Sequence, residues 1–226
     1  MPVVRADTRP ARLLSDRLHG RHRFVTGAVF VLLAVLAAVA HQWLLRFDGP
    51  VSEWVRDDRL TGLFQVVTSV GDTEVAIGTA VLLALVAWRR CRTFALLYPG
   101  TLIVGSLVNI SLKALIGRPR PPAPNTSVAL ASFPSGHTLQ ATLFFGLLPV
   151  AVYLMVGRQW AFRATAVVSV LGIIGVGVSR VYLGAHWPTD VIGGVILGAG
   201  LILATEWVLS RPDSHRVCCC VLAQPA

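Results

Sequence analysis

Three stretches of this 226-residue chain carry side chains able to handle a phosphate. Residues 113–121 supply Lys113, Arg118 and Arg120. Pro134-Ser135-Gly136-His137 supplies a hydroxyl and an imidazole, and residues 179–190 supply Arg180, His186 and Asp190. Lys113, Arg118 or Arg120, and Arg180 would make a cluster of cations with almost no carboxylate to neutralise it. Three such donors can hold the oxygens of a phosphoryl group and stabilise the charge of a loose transition state. Asp190 is the one acidic residue in these stretches. The pattern therefore provides for no magnesium or zinc site, and no cofactor is expected.

His186 and Asp190 stand four residues apart, which brings imidazole and carboxylate together if the turn at Pro188 is helical. Asp190 would then fix the tautomer of an imidazole whose other nitrogen attacks phosphorus. His137 could protonate the departing alkoxide and later activate water. Neighbouring cations favour the neutral imidazole a nucleophile needs, whereas Asp190 pulls the other way. Ser135 and the backbone N–H of Gly136, at a helix start, complete the anion cradle. Singly, each residue has an ordinary explanation: a snorkelling lysine, orientation charges, a turn with a helix cap. Their joint occurrence on one membrane face is what singles them out.

The elements that must position them are membrane spans. Hydrophobic residues make up 54% of the chain, which is long enough for several spans of about 20 residues and too apolar for a water-soluble domain. The reading is an all-α polytopic membrane domain over residues 24–209, with a basic cytoplasmic tail over 1–23 and a cytoplasmic tail over 210–226. Six spans are expected: 24–45, from Asp72 as cap to Trp88, 94–116, 138–156, 161–179, and 188–209 with Pro188 in the first turn. The second is short. Gly194 and Gly198 form a small-xxx-small pair for close helix approach.

Charge sets the orientation. The net charge of +9 is carried in short clusters between apolar runs, which suits membrane topology rather than nucleic acid. Arg89, Arg90, Arg92, Arg158 and Arg163 mark inner loops. The segment 46–74 has three basic residues against six acidic ones, including Asp48 and Asp72, and is expected outside. Short interfacial helices are expected within it, with Asp57-Asp58 on a solvated face. Lys113, Arg120, His137, Arg180 and His186 then all fall at or beside outer loops. The four cysteines, Cys91 and Cys218 to Cys220, suggest neither a metal site nor a disulfide framework.

Lys113 with Arg120-Pro121, then Pro134-Ser135-Gly136-His137, then Ser179-Arg180 with His186 and Asp190, resemble in that order the three-part signature of the type 2 phosphatidic acid phosphatase superfamily. The resemblance implies metal-independent dephosphorylation through a phosphohistidine. It makes His186 the nucleophile, Asp190 its orienter, His137 the acid and base, and Lys113, Arg120, Ser135, Gly136 and Arg180 the phosphate binders. Arg118 falls outside the pattern, as an accessory. Substrates implied are a phospholipid such as phosphatidic acid or phosphatidylglycerophosphate, or a polyprenyl diphosphate. One lysine among 20 basic residues hints at a GC-rich bacterial source.

The same signature would serve a phosphotransferase handing the group to another lipid or sugar. It is also similar to that of the vanadium haloperoxidases, although these resemble large soluble proteins. A non-catalytic lipid-binding scaffold is disfavoured by the presence of both histidines.

Overall fold

Apolar runs too long for strands, punctuated by glycine, proline and arginine, dictate helices, and all regular secondary structure among the described residues of this computed structural model is helical. The structure describes residues 25–28, 32, 41–55, 59–122 and 131–209. In chain order the helices are α1 His41–Val55, α2 Thr61–Ser69, α3 Thr73–Ala87, α4 Arg92–Ile116, α5 Gly136–Val156, α6 Gln159–Tyr182 and α7 Pro188–Leu209.

Four of these, α4 to α7, are long and apolar enough to cross a membrane. The helices α2 and α3 meet at a 44° bend and, taken together, are long and apolar enough for a broken span or a re-entrant loop. That arrangement refines the expected second span. Fifteen residues in α3 extend only about 22 Å at about 1.5 Å each, so α3 by itself is shorter than a hydrocarbon core of about 30 Å. Residues 60–67, expected from sequence to form a short interfacial helix, fall largely within α2. The helix expected over 24–45 lies mostly outside the described residues, as do both tails and Asp57-Asp58.

α5 is the enclosed element. Leu139, Leu143, Leu147 and Leu154 are fully buried and meet Phe94, Tyr98 and Leu102 of α4, Leu197 of α7, and an alanine stripe, Ala76, Ala80 and Ala87, on α3. Small residues at that spacing let α3 approach closely. With lipid rather than water outside, side-chain hydrogen bonds join the helices. Tyr98 donates to the Phe144 carbonyl at 2.8 Å, Thr101 and Thr205 meet at 2.8 Å, and Gln140 donates to Ser106 at 2.7 Å. Gly194 and Gly198 pack on α5 as expected. A Cβ on Gly194 would stand 2.8 Å from the Ser135 carbonyl oxygen, and one on Gly198 2.7 Å from Thr142 Cγ2.

The outward faces of α3, α4 and α6 remain apolar and exposed, with Leu85, Leu115, Val167 and Leu171 each more than 60% accessible. Such surface suits a hydrocarbon solvent. At one end of the bundle, the connections from α3 to α4 and from α5 to α6 carry Arg89, Arg90 and Arg158, and Arg92 opens α4. Cys91 there is disulfide-bonded. This corrects the expectation of no disulfide: the turn that ends α3 buries the Cys91 sulfur at the start of α4, and Cys218 to Cys220 lie outside the described residues.

Candidate active site

All three phosphate-handling stretches gather at the opposite end. Lys113 lies in the last turn of α4, where Gly117 ends the helix with φ +63° and prolines prevent its continuation. Lys113 Nζ donates to the Ala131 carbonyl at 2.7 Å, and Ser132 N–H donates to the Arg118 carbonyl at 2.7 Å. The two ends of the 117–135 connection are thus tied together. Ser135 occupies the N-cap position of α5. Its N–H donates to the Asp190 carbonyl at 3.0 Å and its Oγ accepts from Thr138 at 3.0 Å. That leaves the Ser135 hydroxyl proton for a further acceptor.

Arg180 is in the last turn of α6, its Nη1 donating to Thr68 Oγ1 at 3.0 Å. The chain then turns tightly through Gly184, at φ +65°, with the N–H groups of Ala185 and His186 both donating to the Arg180 carbonyl. A positive φ favours glycine there. Arg120 closes over this turn, Nη1 to the Ala185 carbonyl at 3.0 Å. Lys113, Arg120 and Arg180 lie within electrostatic reach of one another, and Lys113 and Arg180 act on both His137 and His186. Both imidazoles therefore feel the same two cations, Lys113 and Arg180.

Asp190, in the first turn of α7, is wholly buried. Its Oδ2 accepts the Trp187 N–H at 2.9 Å and stands 3.4 Å from His186 Nδ1. That second distance is an ion-pair contact longer than a well-formed hydrogen bond, and His186 Nδ1 has no hydrogen-bond partner. His186 is itself buried. Burial pushes its imidazole down to about 3; the nearby Asp190 opposes that shift, and Lys113 and Arg180 add to it. A neutral ring with Nδ1 facing a carboxylate presents Nε2 as its free nucleophilic atom.

Three features were missed from sequence. Arg118 was read as accessory, yet it is 1% exposed and joins two carboxylates: Nη1 to Asp190 Oδ1 at 2.6 Å and Nη2 to Asp48 Oδ2 at 2.6 Å. Asp48, counted as an outer-loop acid, also accepts from the N–H of Thr189 at 3.0 Å and from its hydroxyl at 2.6 Å. Asp72, expected to cap α3 with its side chain, makes no such cap and pairs with His137 Nε2 at 2.7 Å. The cation cluster is thus less free of carboxylates than sequence suggested. The signal available was weak: acids in a loop that charge counting treats as solvated. The oxygens of Asp48 and Asp190 are all engaged by N–H or O–H donors, a donor-saturated set rather than a cation's ligands.

With that geometry in view, the comparisons converge. Residues 94–212 match the family model of the PAP2 superfamily. The chain is similar to a lipid A 1-phosphatase of Rhizobium etli, 32% identical over 80% of this chain and 84% of that protein. It is similar also to phosphatidylglycerophosphatase B of Bacillus subtilis, 30% identical over 76% and 88% of the two chains. Among solved structures, a transmembrane PAP2-type phosphatidylglycerolphosphate phosphatase from Bacillus subtilis superposes with a TM-score of 0.70 at 28% identity, over 82% of this chain and 94% of the other. A bundle of apolar helices, a cluster of cations about two imidazoles, and a family match over more than half the chain lead to one assignment: this is a membrane member of the PAP2 superfamily, a lipid phosphatase family.

Proposed function

We propose that this chain is a metal-independent lipid phosphatase that removes phosphate from a lipid monophosphate or diphosphate through a phosphohistidine on His186. The observation that carries the reading is His186 itself, buried beside Asp190 and within electrostatic reach of Lys113 and Arg180. In the first step His186 Nε2 bonds to phosphorus as the P–O bond to the lipid breaks, and His137 gives its proton to the departing oxygen. In the second, a water oxygen bonds to phosphorus while His137 takes the water's proton. The P–N bond breaks, inorganic phosphate leaves and both rings return to their starting state. Lys113, Arg120 and Arg180, with Ser135 and the Gly136 N–H, hold the equatorial oxygens throughout.

The site faces the extracytoplasmic side in this reading, because the arginine-bearing connections lie at the other end of the bundle. That placement leaves phosphatidic acid, phosphatidylglycerophosphate and polyprenyl diphosphate as substrates to compare. Detergent-purified protein is expected to release inorganic phosphate from at least one of them, undiminished by EDTA. His186→Ala is expected to abolish both turnover and the acid-labile phosphoenzyme. Loss of release on chelation, or a phosphoenzyme that survives the substitution, would overturn the mechanism.

A further inference from the structure

We infer that Asp72, which lies outside all three phosphate-handling stretches, is the positioning residue for His137: it fixes which nitrogen of that imidazole exchanges the substrate's proton. The inference deepens the proposed function and rests on His137 acting as acid and base there. Its ground is geometric. Asp72 Oδ1 lies 2.7 Å from His137 Nε2.

The residue occupies the N-cap position of α3 in extended conformation, φ −63° and ψ 135°, where a carboxylate ordinarily accepts from the first turn. It makes no such bond and reaches across to α5 instead. The backbone before it is pressed onto the same histidine. A Cβ on Gly71 would stand 2.9 Å from the His137 carbonyl oxygen, 3.2 Å from His137 Cβ and 2.8 Å from Val176 Cγ1. The turn at 70–72 is held by Gly71 N–H to the Thr68 carbonyl at 2.9 Å and Asp72 N–H to the Ser69 carbonyl at 3.1 Å. Thr68 of the same turn holds Arg180. The α2–α3 bend thus grips one imidazole and one phosphate-binding cation.

A carboxylate accepts only, so Asp72 requires Nε2 of His137 to carry a proton. Nδ1 is then the working nitrogen. Protonated, it gives that proton to the lipid oxygen as the P–O bond breaks; neutral, it takes one from the attacking water, while Nε2–H stays on Asp72 in both steps. The carboxylate stabilises the imidazolium without itself becoming protonated.

The discriminating experiment uses two substrates that differ in whether the leaving group needs a proton: short-chain phosphatidic acid, which releases an alkoxide, and p-nitrophenyl phosphate, whose phenolate departs without one. Asp72→Asn in the full chain is expected to lower kcat/KM for the alkyl substrate at least about 10-fold while leaving that for p-nitrophenyl phosphate within about threefold. Asparagine remains a good N-cap residue, so α3 is retained. Asp72→Glu is expected to recover much of the alkyl rate. In a His137→Ala background, Asp72→Asn is expected to cost nothing further.

An equal loss on both substrates, no loss on either, or a full additional loss without His137 would each overturn the inference and leave the proposed function standing. Folded wild-type protein that released phosphate from neither of these substrates, nor from phosphatidylglycerophosphate or polyprenyl diphosphate, would overturn the proposed function, and this inference with it.

Discussion

Arg118 and Asp190 meet at 2.6 Å although they stand 72 positions apart in the chain, and neither side chain is exposed to solvent. The same guanidinium reaches Asp48 at 2.6 Å. One cation thereby ties the middle of α1, the loop after α4 and the start of α7 together, through the same Asp190 that stands beside His186. A fully desolvated ion network contributes little net stability when complete, yet breaking it strands a buried charge.

Arg118→Met is therefore expected to destabilise the protein by about 3–5 kcal/mol and to reduce turnover by releasing Asp190. Thermal unfolding in detergent, followed by a double substitution with Asp48→Asn, checks it. The second change should cost less in the Arg118→Met background than alone, because its partner is already gone. Strict additivity would count against the network.

Lys113 is buried and spends one of its three protons on the Ala131 carbonyl, with two left for an anion. Lys113→Met keeps a long apolar side chain and loses the charge. The expected outcome is a fall of about 100-fold in kcat/KM, the scale of losing one preorganised donor, with a melting temperature close to wild type. A variant that unfolds rather than slows would assign the lysine to structure instead.

The pH dependence of stability follows from His186. Its folded value of about 3 lies below the ordinary 6.5, so the unfolded chain binds the proton first. The contribution of this group is complete above about pH 6.5 and is lost as pH falls toward about 3. Melting temperatures measured at about pH 7 and about pH 4.5 should fall more steeply for wild type than for His186→Gln. Parallel slopes would show that the ring is not held neutral by burial.

Two glycines separate packing from propensity. Gly194→Ala places a methyl group 2.8 Å from the Ser135 carbonyl and 3.2 Å from Leu139 N, at the start of α5. It is expected to cost about 1–3 kcal/mol and to slow turnover by displacing Ser135 and His137. Gly78→Ala on α3 meets nothing within 4 Å and is expected to stabilise by about 0.5–1 kcal/mol through helix propensity. Thermal melts of the two variants side by side decide the matter.

The chemistry of this site is legible in sequence because the residue types are few and costly. Lys113, Arg120, His137, Arg180, His186 and Asp190 stand among apolar runs where an ionisable group has no place without a task, and helix arithmetic puts them at one end. Local signals did as much for the elements: Gly117, Pro188, and the Gly194 and Gly198 pair mark an end, a start and a contact, each by backbone geometry that acts within a turn.

Charge counting could not distinguish an acid facing water from one facing a buried cation, because both occur in the same acidic loop. Asp48 and Asp72 acquire their partners only when α1 and the α2–α3 bend fold against α5, α6 and α7. Arg118 likewise differs from Arg120 by two positions in sequence and by its whole environment in space. Residue type and local spacing determined which groups can do the chemistry. Long-range packing decided which carboxylate holds which of them, since that pairing depends on distances across helices that no short-range pattern encodes.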